Sequence, residues 1–277
     1  MRTRSEKFDA FADLHASDGC FVIANAWNAG SAKILDALGF QALATTSAGL
    51  AFAIGVQDST NDLDREATLA NAKEIVEATS LPVSADLENG FADSPDDCAS
   101  IIGGAIAAGL VGCTIEDATG VPDKPIYDFQ LAVDRISACV EAGRGQNFLL
   151  TARSENFLHG RPDLDDTIRR LQAFEKAGAD VLYAPGLPDL EAVRTVCKSV
   201  DKPVNVVMGL SGPTWSVGEL SDAGVKRISV GGSFARAALG GLVRAAEEVL
   251  TNETFTYARD ALPHAEAVRF MTATGLR

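Results

Sequence analysis

Acidic side chains cluster at the ends of two neighbouring predicted strands. Asp86 and Glu88 end the third predicted strand, and Glu116 and Asp117 end the fourth. Side chains two residues apart share one side of an extended strand, so Ser84, Asp86 and Glu88 lie together if the extended conformation continues to Glu88. Like charges this close are costly unless a cation, protons or basic side chains offset them. Carboxylates with no histidine or cysteine beside them suit Mg²⁺ or Mn²⁺ better than Zn²⁺, which favours a metal site over acids that merely cap helices.

Groups that could bind an anion follow two other predicted strands. Arg153 ends the fifth strand, where its guanidinium could hold a carboxylate or phosphonate with two hydrogen bonds or form an ion pair with Glu116 or Glu155. After the second strand, residues 44–49 offer hydroxyl groups and backbone N–H groups. Asp58 lies on the loop that comes next. The sequence thus places both charge signs at strand ends.

Eight short β-rich runs alternate with eight longer helical stretches, and these elements must position the candidate residues. Eight strand–helix units predict an α/β protein with a closed (β/α)8 TIM barrel, and an open doubly wound sheet is the alternative. In such a barrel the chemistry lies at the carboxyl ends of the strands. The predicted strands are 21–25, 42–46, 83–86, 111–116, 148–152, 181–184, 204–208 and 227–230, and the predicted helices are 31–37, 65–78, 96–108, 129–142, 164–177, 189–199, 217–223 and 234–250.

A tail follows the last barrel helix, and it predicts one further amphipathic helix over residues 254–274. Phe255, Ala261, Ala265, Val268 and Met271 form its apolar stripe. This helix either packs on its own barrel or is exchanged onto a partner subunit. We interpret residues 1–277 as a single barrel domain that includes this extra helix.

Composition excludes several classes of partner. The chain has 277 residues with 24 Lys+Arg against 38 Asp+Glu, a net charge of −14 that repels nucleic-acid phosphates and anionic lipid surfaces. Its five cysteines form no CxxC pair, and we see no apolar signal core or membrane span, so we expect a cytoplasmic protein. The histidines, His15, His159 and His264, have no metal-ligand spacing and are interpreted as surface or structural residues, although His159 follows Arg153 closely.

Taken together, these segments resemble the isocitrate lyase / phosphoenolpyruvate mutase superfamily. The resemblance covers nearly the whole chain and depends on the order and spacing of several short motifs rather than on one decisive motif. The segments that carry it are 24–27, 44–49, 55–58, 85–91, 115–117, 151–153 and 178–180.

The resemblance implies an (α/β)8 barrel, a Mg²⁺ site and a terminal helix exchanged within a homodimer or homotetramer. It also implies chemistry that makes or breaks a C–C or P–C bond next to a 2-oxo acid. Asp86 would be the direct metal ligand, while Glu88 and Glu116 would act through bound water. Glu88 stands where the family commonly has a second aspartate. Arg153 would hold a substrate carboxylate or phosphonyl group.

The resemblance assigns roles to the second strand end and its loop as well. Thr46, Ser47 and Ala48 would bind the substrate carboxylate or the developing enolate oxygen. Asp58 would orient the transferring group or assist proton movement. The segment 117–127 could close over the site, or it could be an ordinary surface loop.

The chain also departs from the family at three points. Lyases of the family carry a Lys-Lys/Arg-Cys-Gly-His loop, whereas residues 117–125 here contain neither Cys nor His. Pro185 falls near the position of a lyase glutamate, and Lys124 only partly replaces the Lys and Asn pair of phosphonate-handling members. We therefore predict a divergent Mg²⁺-dependent lyase or phosphonomutase-like enzyme that acts on a small 2-oxo or 2-hydroxy acid or a phosphonate. The alternatives are an oxaloacetate decarboxylase and a barrel that binds a 2-oxo acid without turnover.

Overall fold

Eight parallel strands close into a barrel in the computed structural model, which describes residues 2–58 and 63–272. Each strand pairs with the next in chain order, and β8 returns to β1 with Phe21 opposite Arg227. This last pairing confirms the (β/α)8 barrel, and the open sheet is wrong. The strands are β1 (Phe21–Asn25), β2 (Leu43–Ala44), β3 (Val83–Asp86), β4 (Gly112–Glu116), β5 (Leu149–Arg153), β6 (Val181–Tyr183), β7 (Val204–Val207) and β8 (Arg227–Ser229).

Helices surround the barrel, and two of them, α1 and α3, have no counterpart among the predicted helices. Helix α3 begins at Thr46, whose hydroxyl caps the helix by accepting a hydrogen bond from the Gly49 N–H. The helices are α1 (Arg4–Ala16), α2 (Ala29–Leu38), α3 (Ser47–Ile54), α4 (Arg65–Ala78), α5 (Pro95–Ala107), α6 (Phe129–Gly143), α7 (Leu164–Lys176), α8 (Leu190–Lys198), α9 (Val217–Asp222), α10 (Ser233–Asn252) and α11 (His264–Thr272).

Apolar side chains fill the layer between the strands and the helices. Val83 of β3 belongs to this core, together with Ile101 of α5 and Val193 of α8. Glycines in the left-handed conformation return the chain from helix to strand, as at Gly39 (φ 97°) and Gly178 (φ 104°). These short turns bring every strand back into the barrel in the same direction.

Helix α1 closes the amino-terminal end of the barrel. Phe11 of α1 packs with Phe21 at the start of β1, and the His15 ring meets both phenylalanine rings edge-on. Inside the barrel, the Arg227 guanidinium donates hydrogen bonds to Asn205 Oδ1 (2.8 Å) and Thr151 Oγ1 (2.9 Å), and its Nη1 lies 3.4 Å from His15 Nε2. Burial, followed by the charge of Arg227, lowers the pKa of His15 to about 3. His15 is therefore a neutral structural residue.

The C-terminal segment is not one continuous helix, so the prediction for 254–274 is wrong in its continuity. A 3₁₀ turn covers Thr256–Arg259, and α11 begins only at His264, immediately after Pro263. Proline supplies no N–H and pushes the preceding residue out of the helical conformation, which explains the interruption. Residues 273 and 274 lie outside the described part of the chain. Helix α11 packs against α2 of the same chain, and Lys33 Nζ donates a hydrogen bond to the Met271 carbonyl (2.9 Å).

Among the described helices, none is both long enough and apolar enough to cross a membrane.

Candidate active site

A cavity of about 570 Å³ lies at the carboxyl ends of the strands, where the barrel fold predicts chemistry. Asp86 and Glu116 come from the last positions of β3 and β4, and Arg153 comes from the last position of β5. All eight sequence-predicted residues line this cavity: Thr46, Ser47, Ala48, Asp58, Asp86, Glu88, Glu116 and Arg153. The fold therefore brings the predicted set together.

Asp86 is held rigidly at the centre of the site. Its Oδ2 accepts hydrogen bonds from Ser47 Oγ (3.0 Å) and from the Ser47 N–H (3.3 Å), while its Oδ1 accepts one from Thr114 Oγ1 (3.3 Å). Its own N–H donates to Thr45 Oγ1 (2.9 Å). A carboxylate with these partners keeps one orientation, as a metal ligand must.

Arg153 makes both ion pairs that the sequence left open as alternatives to anion binding. Its Nη1 lies 3.3 Å from Glu116 Oε2 and 3.9 Å from Asp86 Oδ1, and its Nε donates to Glu155. The guanidinium also sits 5.0 Å from the centre of the Tyr183 ring. Burial opposes the charge of Arg153, yet Glu155 and Glu116 hold its pKa well above the ordinary value.

One edge of this guanidinium is still available. Arg153 Nη2 makes no hydrogen bond or ion pair with the residues in 2–58 and 63–272, although the side chain is only 16% exposed. The ion pairs therefore fix the direction of the guanidinium while leaving donors for an anion in the cavity.

Glu88 reaches the cavity by a route that differs from the predicted one. Its φ of 47° is left-handed, so the extended conformation does not continue to Glu88, and simple alternation along the strand does not explain its position. Burial and the negative charges of Asp86 and Asp58 raise the pKa of Glu88 to about 7. Burial also raises the pKa of Glu116 well above its ordinary value, with Glu155 and Asp86 acting in the same direction. Both carboxyl groups are thus harder to ionise here than in water, because they are buried and lie near other acids.

The donor set fits a hard divalent cation with few direct protein ligands. Five carboxylates line the cavity, namely Asp58, Asp86, Glu88, Glu116 and Glu155, against the single guanidinium of Arg153. Within the described residues, no three acidic, histidine or cysteine side chains converge tightly enough to form a metal cage. Mg²⁺ commonly keeps several waters and uses only one or two carboxylates, so one direct ligand with water-mediated neighbours suits this geometry.

The polar groups that follow β2 form hydrogen bonds mainly with Asp86. Both the N–H and the Oγ of Ser47 donate to that carboxylate, and Thr46 Oγ1 accepts from Gly49 as the helix cap. The Ala48 N–H makes no hydrogen bond to the described residues. It lies in the first turn of α3, where backbone N–H groups favour an anion.

The loop between β4 and α6 (residues 117–128) forms a hairpin beside the cavity. The Thr119 N–H donates to the Pro125 carbonyl (2.9 Å), and Ala118 and Ile126 form an antiparallel bridge. Val121 and Pro122 at its tip line the cavity. The segment is therefore a small folded unit rather than an irregular loop.

A buried ion pair anchors this hairpin. Asp117 Oδ2 lies 3.1 Å from Arg170 Nη1, and Asp117 Oδ1 accepts the Glu155 N–H at 2.7 Å. The same Arg170 nitrogen donates to the Tyr127 carbonyl (3.1 Å). Asp117 therefore acts in the scaffold of the site and does not line the cavity.

Three titratable residues that line the cavity are not among the predicted site residues. They are Glu155, which the sequence suggests only as a partner of Arg153, His159, which is predicted to be structural, and Tyr183. Tyr183 ends β6, so its position at a strand end is a signal that could have identified it. His159 Nε2 lies 3.7 Å from Glu155 Oε2, an arrangement that no sequence spacing reveals.

Comparisons with known proteins agree with this geometry. Residues 11–250 match the family model described as phosphoenolpyruvate phosphomutase. A crystal structure from Burkholderia cenocepacia J2315, provisionally described as a lyase/mutase, is 51% identical, covers 98% of this chain and 97% of that chain, and has a TM-score of 0.94. The 2-methylisocitrate lyase of Escherichia coli K12 is 30% identical over 208 residues, which are 72% of this chain and 69% of that protein.

A third comparison concerns the fold. A phosphonopyruvate hydrolase solved in complex with oxalate and Mg²⁺ has a TM-score of 0.85 at 22% identity, with 98% of this chain and 95% of that chain covered.

Proposed function

Because this chain belongs to the phosphoenolpyruvate phosphomutase family, whose members are lyases and mutases, we propose that it is a Mg²⁺-dependent carbon–carbon lyase. Its substrate is a small 2-oxo or 2-hydroxy dicarboxylate that reacts through an enolate. The observation that carries the proposal is the excess of five carboxylates over one guanidinium around a rigid Asp86. Such crowding is stable when a divalent cation offsets it.

The metal-binding roles follow from the contacts of each acid. Asp86 is the direct ligand, because its hydrogen bonds fix its orientation, and Glu88 and Glu116 hold water around the cation. When bound, Mg²⁺ would supply Lewis-acid stabilisation of the negative charge that develops on the enolate oxygen. Mn²⁺ has similar oxygen preferences and would substitute for it.

Three groups of the chain are available to orient the substrate. The free Nη2 of Arg153 binds the carboxylate, since the pairs with Glu116 and Glu155 hold the guanidinium in one direction. The Ala48 N–H, in the first turn of α3, binds a second oxygen of the substrate. Asp58 also lines the cavity, close enough to raise the pKa of Glu88, and orients the substrate from there.

The cavity wall argues for carbon–carbon rather than phosphorus–carbon chemistry. Val121, Pro122, Leu158 and Leu210 form an apolar side of the cavity, and Arg153 is the single Lys or Arg side chain among its described lining residues. Lys124 is paired with Asp128 at the exposed surface instead. The single guanidinium can balance one substrate carboxylate outside the part of the substrate that binds the metal. A phosphonate brings up to two negative charges, which one guanidinium does not balance. An alkyl substituent at C3 fits the apolar wall.

Product release from a defined panel tests this proposal. The purified enzyme is incubated with 2-hydroxy dicarboxylates that carry hydrogen or methyl at C3, with oxaloacetate and with phosphonopyruvate, in Mg²⁺ or in EDTA. We expect Mg²⁺-dependent release of pyruvate or glyoxylate, fastest from the C3-alkylated compounds. Asp86→Asn should weaken Mg²⁺ binding at least about 100-fold, because even the partners of metal ligands contribute 10–100-fold.

Asp128→Asn is the matched control, because Asp128 is an exposed acid that pairs with Lys124 and does not line the cavity, and it should bind Mg²⁺ like the wild type. Faster cleavage of phosphonopyruvate would contradict the carbon–carbon assignment. Selective loss of CO₂ from oxaloacetate would instead identify a decarboxylase. Mg²⁺-dependent binding without turnover of any compound would identify a 2-oxo acid-binding protein.

We also propose that the chain forms a homo-oligomer through α10. This helix has 20 residues, yet only Ala235 is buried among them. Leu239, Leu242, Val243 and Leu250 follow one another at helical spacing and are 39–84% exposed. A second copy of this chain would cover that stripe, and exchange of α11, which follows in the chain, would extend the contact.

Leu242→Glu should shift the mass measured by analytical ultracentrifugation toward that of the monomer. A wild-type monomer at micromolar concentration would contradict the proposal.

A further inference from the structure

We propose that His159 is the proton-transfer residue of this site and that Glu155 holds its ring in position. In this role, which rests on the proposed function, His159 delivers a proton to C3 of the enolate left by bond cleavage.

The imidazole lies in the same cavity as the groups proposed to bind metal and substrate. Its side chain is 32% exposed and lines the cavity, with Nε2 at 3.7 Å from Glu155 Oε2. The other oxygen of Glu155 accepts from Arg153 Nε. Glu155 therefore links the imidazole to the guanidinium proposed to hold the substrate carboxylate. Because Glu155 lies beside Nε2, the other ring nitrogen, Nδ1, is left for the reacting carbon. Nδ1 has no hydrogen bond to the described residues.

The backbone around His159 is firmly anchored. The Leu158 N–H donates to the Glu155 carbonyl (3.0 Å), and the His159 N–H contacts the carbonyls of Glu155 (3.2 Å) and Asn156 (3.3 Å). Asn156 is fully buried, and its Nδ2 donates to Asp166 Oδ2 (3.0 Å). Such a compact turn holds a side chain in one place, as a proton-transfer group requires.

The other protic groups of the cavity have different tasks. Arg153 is permanently charged, and burial raises the pKa of Tyr183 to about 12. The hairpin at residues 117–125 contains no cysteine or histidine. Imidazole both gives and takes protons near neutral pH.

The other two histidines lie elsewhere in the fold. His15 closes the amino-terminal end of the barrel, and His264 begins α11. His159 is therefore the histidine that the fold brings to the cavity.

The proposed step balances in charge and electrons. The imidazolium of His159 gives its N–H proton to C3 of the enolate and becomes neutral. When C2–C3 breaks, the fragment that keeps C3 is an enolate with a C3–C4 π pair; that pair forms the new C3–H bond, while an oxygen pair re-forms the C4 carboxylate. In the reverse direction, neutral imidazole removes the former C3 proton, which lies next to the carboxylate of the product, and gives the enolate.

Hydrogen exchange at the α carbon of propionate, the carboxylate product of a C3-methyl substrate, tests this step directly. Wild-type enzyme with Mg²⁺ in D₂O should replace the α protons of propionate with deuterium, as followed by ¹H NMR. His159→Asn should slow this exchange at least about 100-fold, the usual contribution of a general acid–base group. The matched control is His264→Asn, an exposed histidine that does not line the cavity, and it should exchange at the wild-type rate.

A binding measurement separates this proposal from the proposed function. Oxalate, a planar mimic of the pyruvate enolate, should bind wild type and His159→Asn equally within about threefold when Mg²⁺ is present, as measured by calorimetry. Added imidazole should restore exchange to His159→Ala. Unchanged exchange in His159→Asn, or no exchange in a wild type that binds oxalate, overturns the role of His159. If the wild type shows no Mg²⁺-dependent oxalate binding, the proposed function fails and the His159 step fails with it.

Discussion

Helix α3 should control the position of Asp86, and Gly49→Ala tests this directly. A Cβ at residue 49 would lie 2.6 Å from Thr46 Cγ2 and 2.8 Å from Trp27 Cβ. Carbon atoms prefer separations of about 3.5–4.0 Å, so the helix would have to move by about 0.7–1 Å. Neither neighbour yields easily, because Thr46 is buried and caps the helix, and the Trp27 Cβ is fixed to its backbone.

The stability effect has two opposing parts. Overpacking a tight site costs about 1–3 kcal/mol, and replacing a helical glycine by alanine returns up to about 1 kcal/mol. We therefore expect a net loss of about 0.5–2 kcal/mol, which corresponds to a fall in Tm of about 1–4 °C for a chain of this size. Gly103→Ala is the matched control: Gly103 is also helical, but no atom lies within 4 Å of its added Cβ. That variant should gain about 0.5–1 kcal/mol.

The loss of oxalate binding in Gly49→Ala should exceed the loss of stability. Ser47 at the start of α3 holds Asp86 Oδ2 through two hydrogen bonds of 3.0 and 3.3 Å. A shift of about 1 Å breaks such bonds, and misplacements of this size reduce catalysis by up to about 100-fold. Oxalate binding in Mg²⁺ should weaken in Gly49→Ala by about 10-fold or more, with no change in Gly103→Ala. Equal dissociation constants for the two variants would refute the positioning role of α3.

Two further predictions concern buried charges elsewhere in the scaffold. Arg170→Met leaves the carboxylate of Asp117 buried without its nearest cation, so it should cost about 3–5 kcal/mol in urea unfolding. Lys124→Met, at an exposed ion pair, should cost less than about 1 kcal/mol, and a similar loss in both variants would contradict the reasoning. The pKa of His15, lowered to about 3 from about 6.5 in the unfolded chain, gives stability that is complete above pH 6.5 and lost as pH falls toward 3. His15→Gln should lack this loss, so the wild-type advantage in unfolding free energy should shrink by about 2–3 kcal/mol between pH 7 and pH 4; a constant difference would show that His15 is not held neutral.

The barrel is predictable from sequence because its signals are local and repeated. Each strand is a short β-rich run, and the helices before β2 and β6 end at Gly39 and Gly178, where only a left-handed turn fits. Helices α1 and α3 also have end signals, the Thr3–Glu6 capping box and the left-handed Gly55, but they lack an apolar periodicity. Segment 47–54 is apolar on nearly all sides, and in α1 the apolar residues do not gather on one face, so neither shows helical periodicity.

The members of the site are predictable, whereas their pairings are not. Strand ends and residue types were enough to select Asp86, Glu116 and Arg153, because a barrel gathers its strand ends at one face. The contacts of Arg153 with Glu116 and Glu155 depend on the register between strands and on side-chain conformation. The left-handed backbone at Glu88 likewise arises from packing around the loop and not from any local propensity.

The hairpin beside the cavity has a consequence for how tightly a substrate can bind. Ordering a disordered flap costs about 1–2 kcal/mol per residue in backbone entropy, and that cost would be subtracted from the affinity of any ligand that needs the flap closed. Residues 117–128 are already ordered by their own hydrogen bonds and by the Asp117–Arg170 pair at their base. Any closure over the cavity would therefore move this hairpin as one ordered unit. The contacts of Val121 and Pro122 with a ligand would then add to the affinity with almost no entropy cost subtracted.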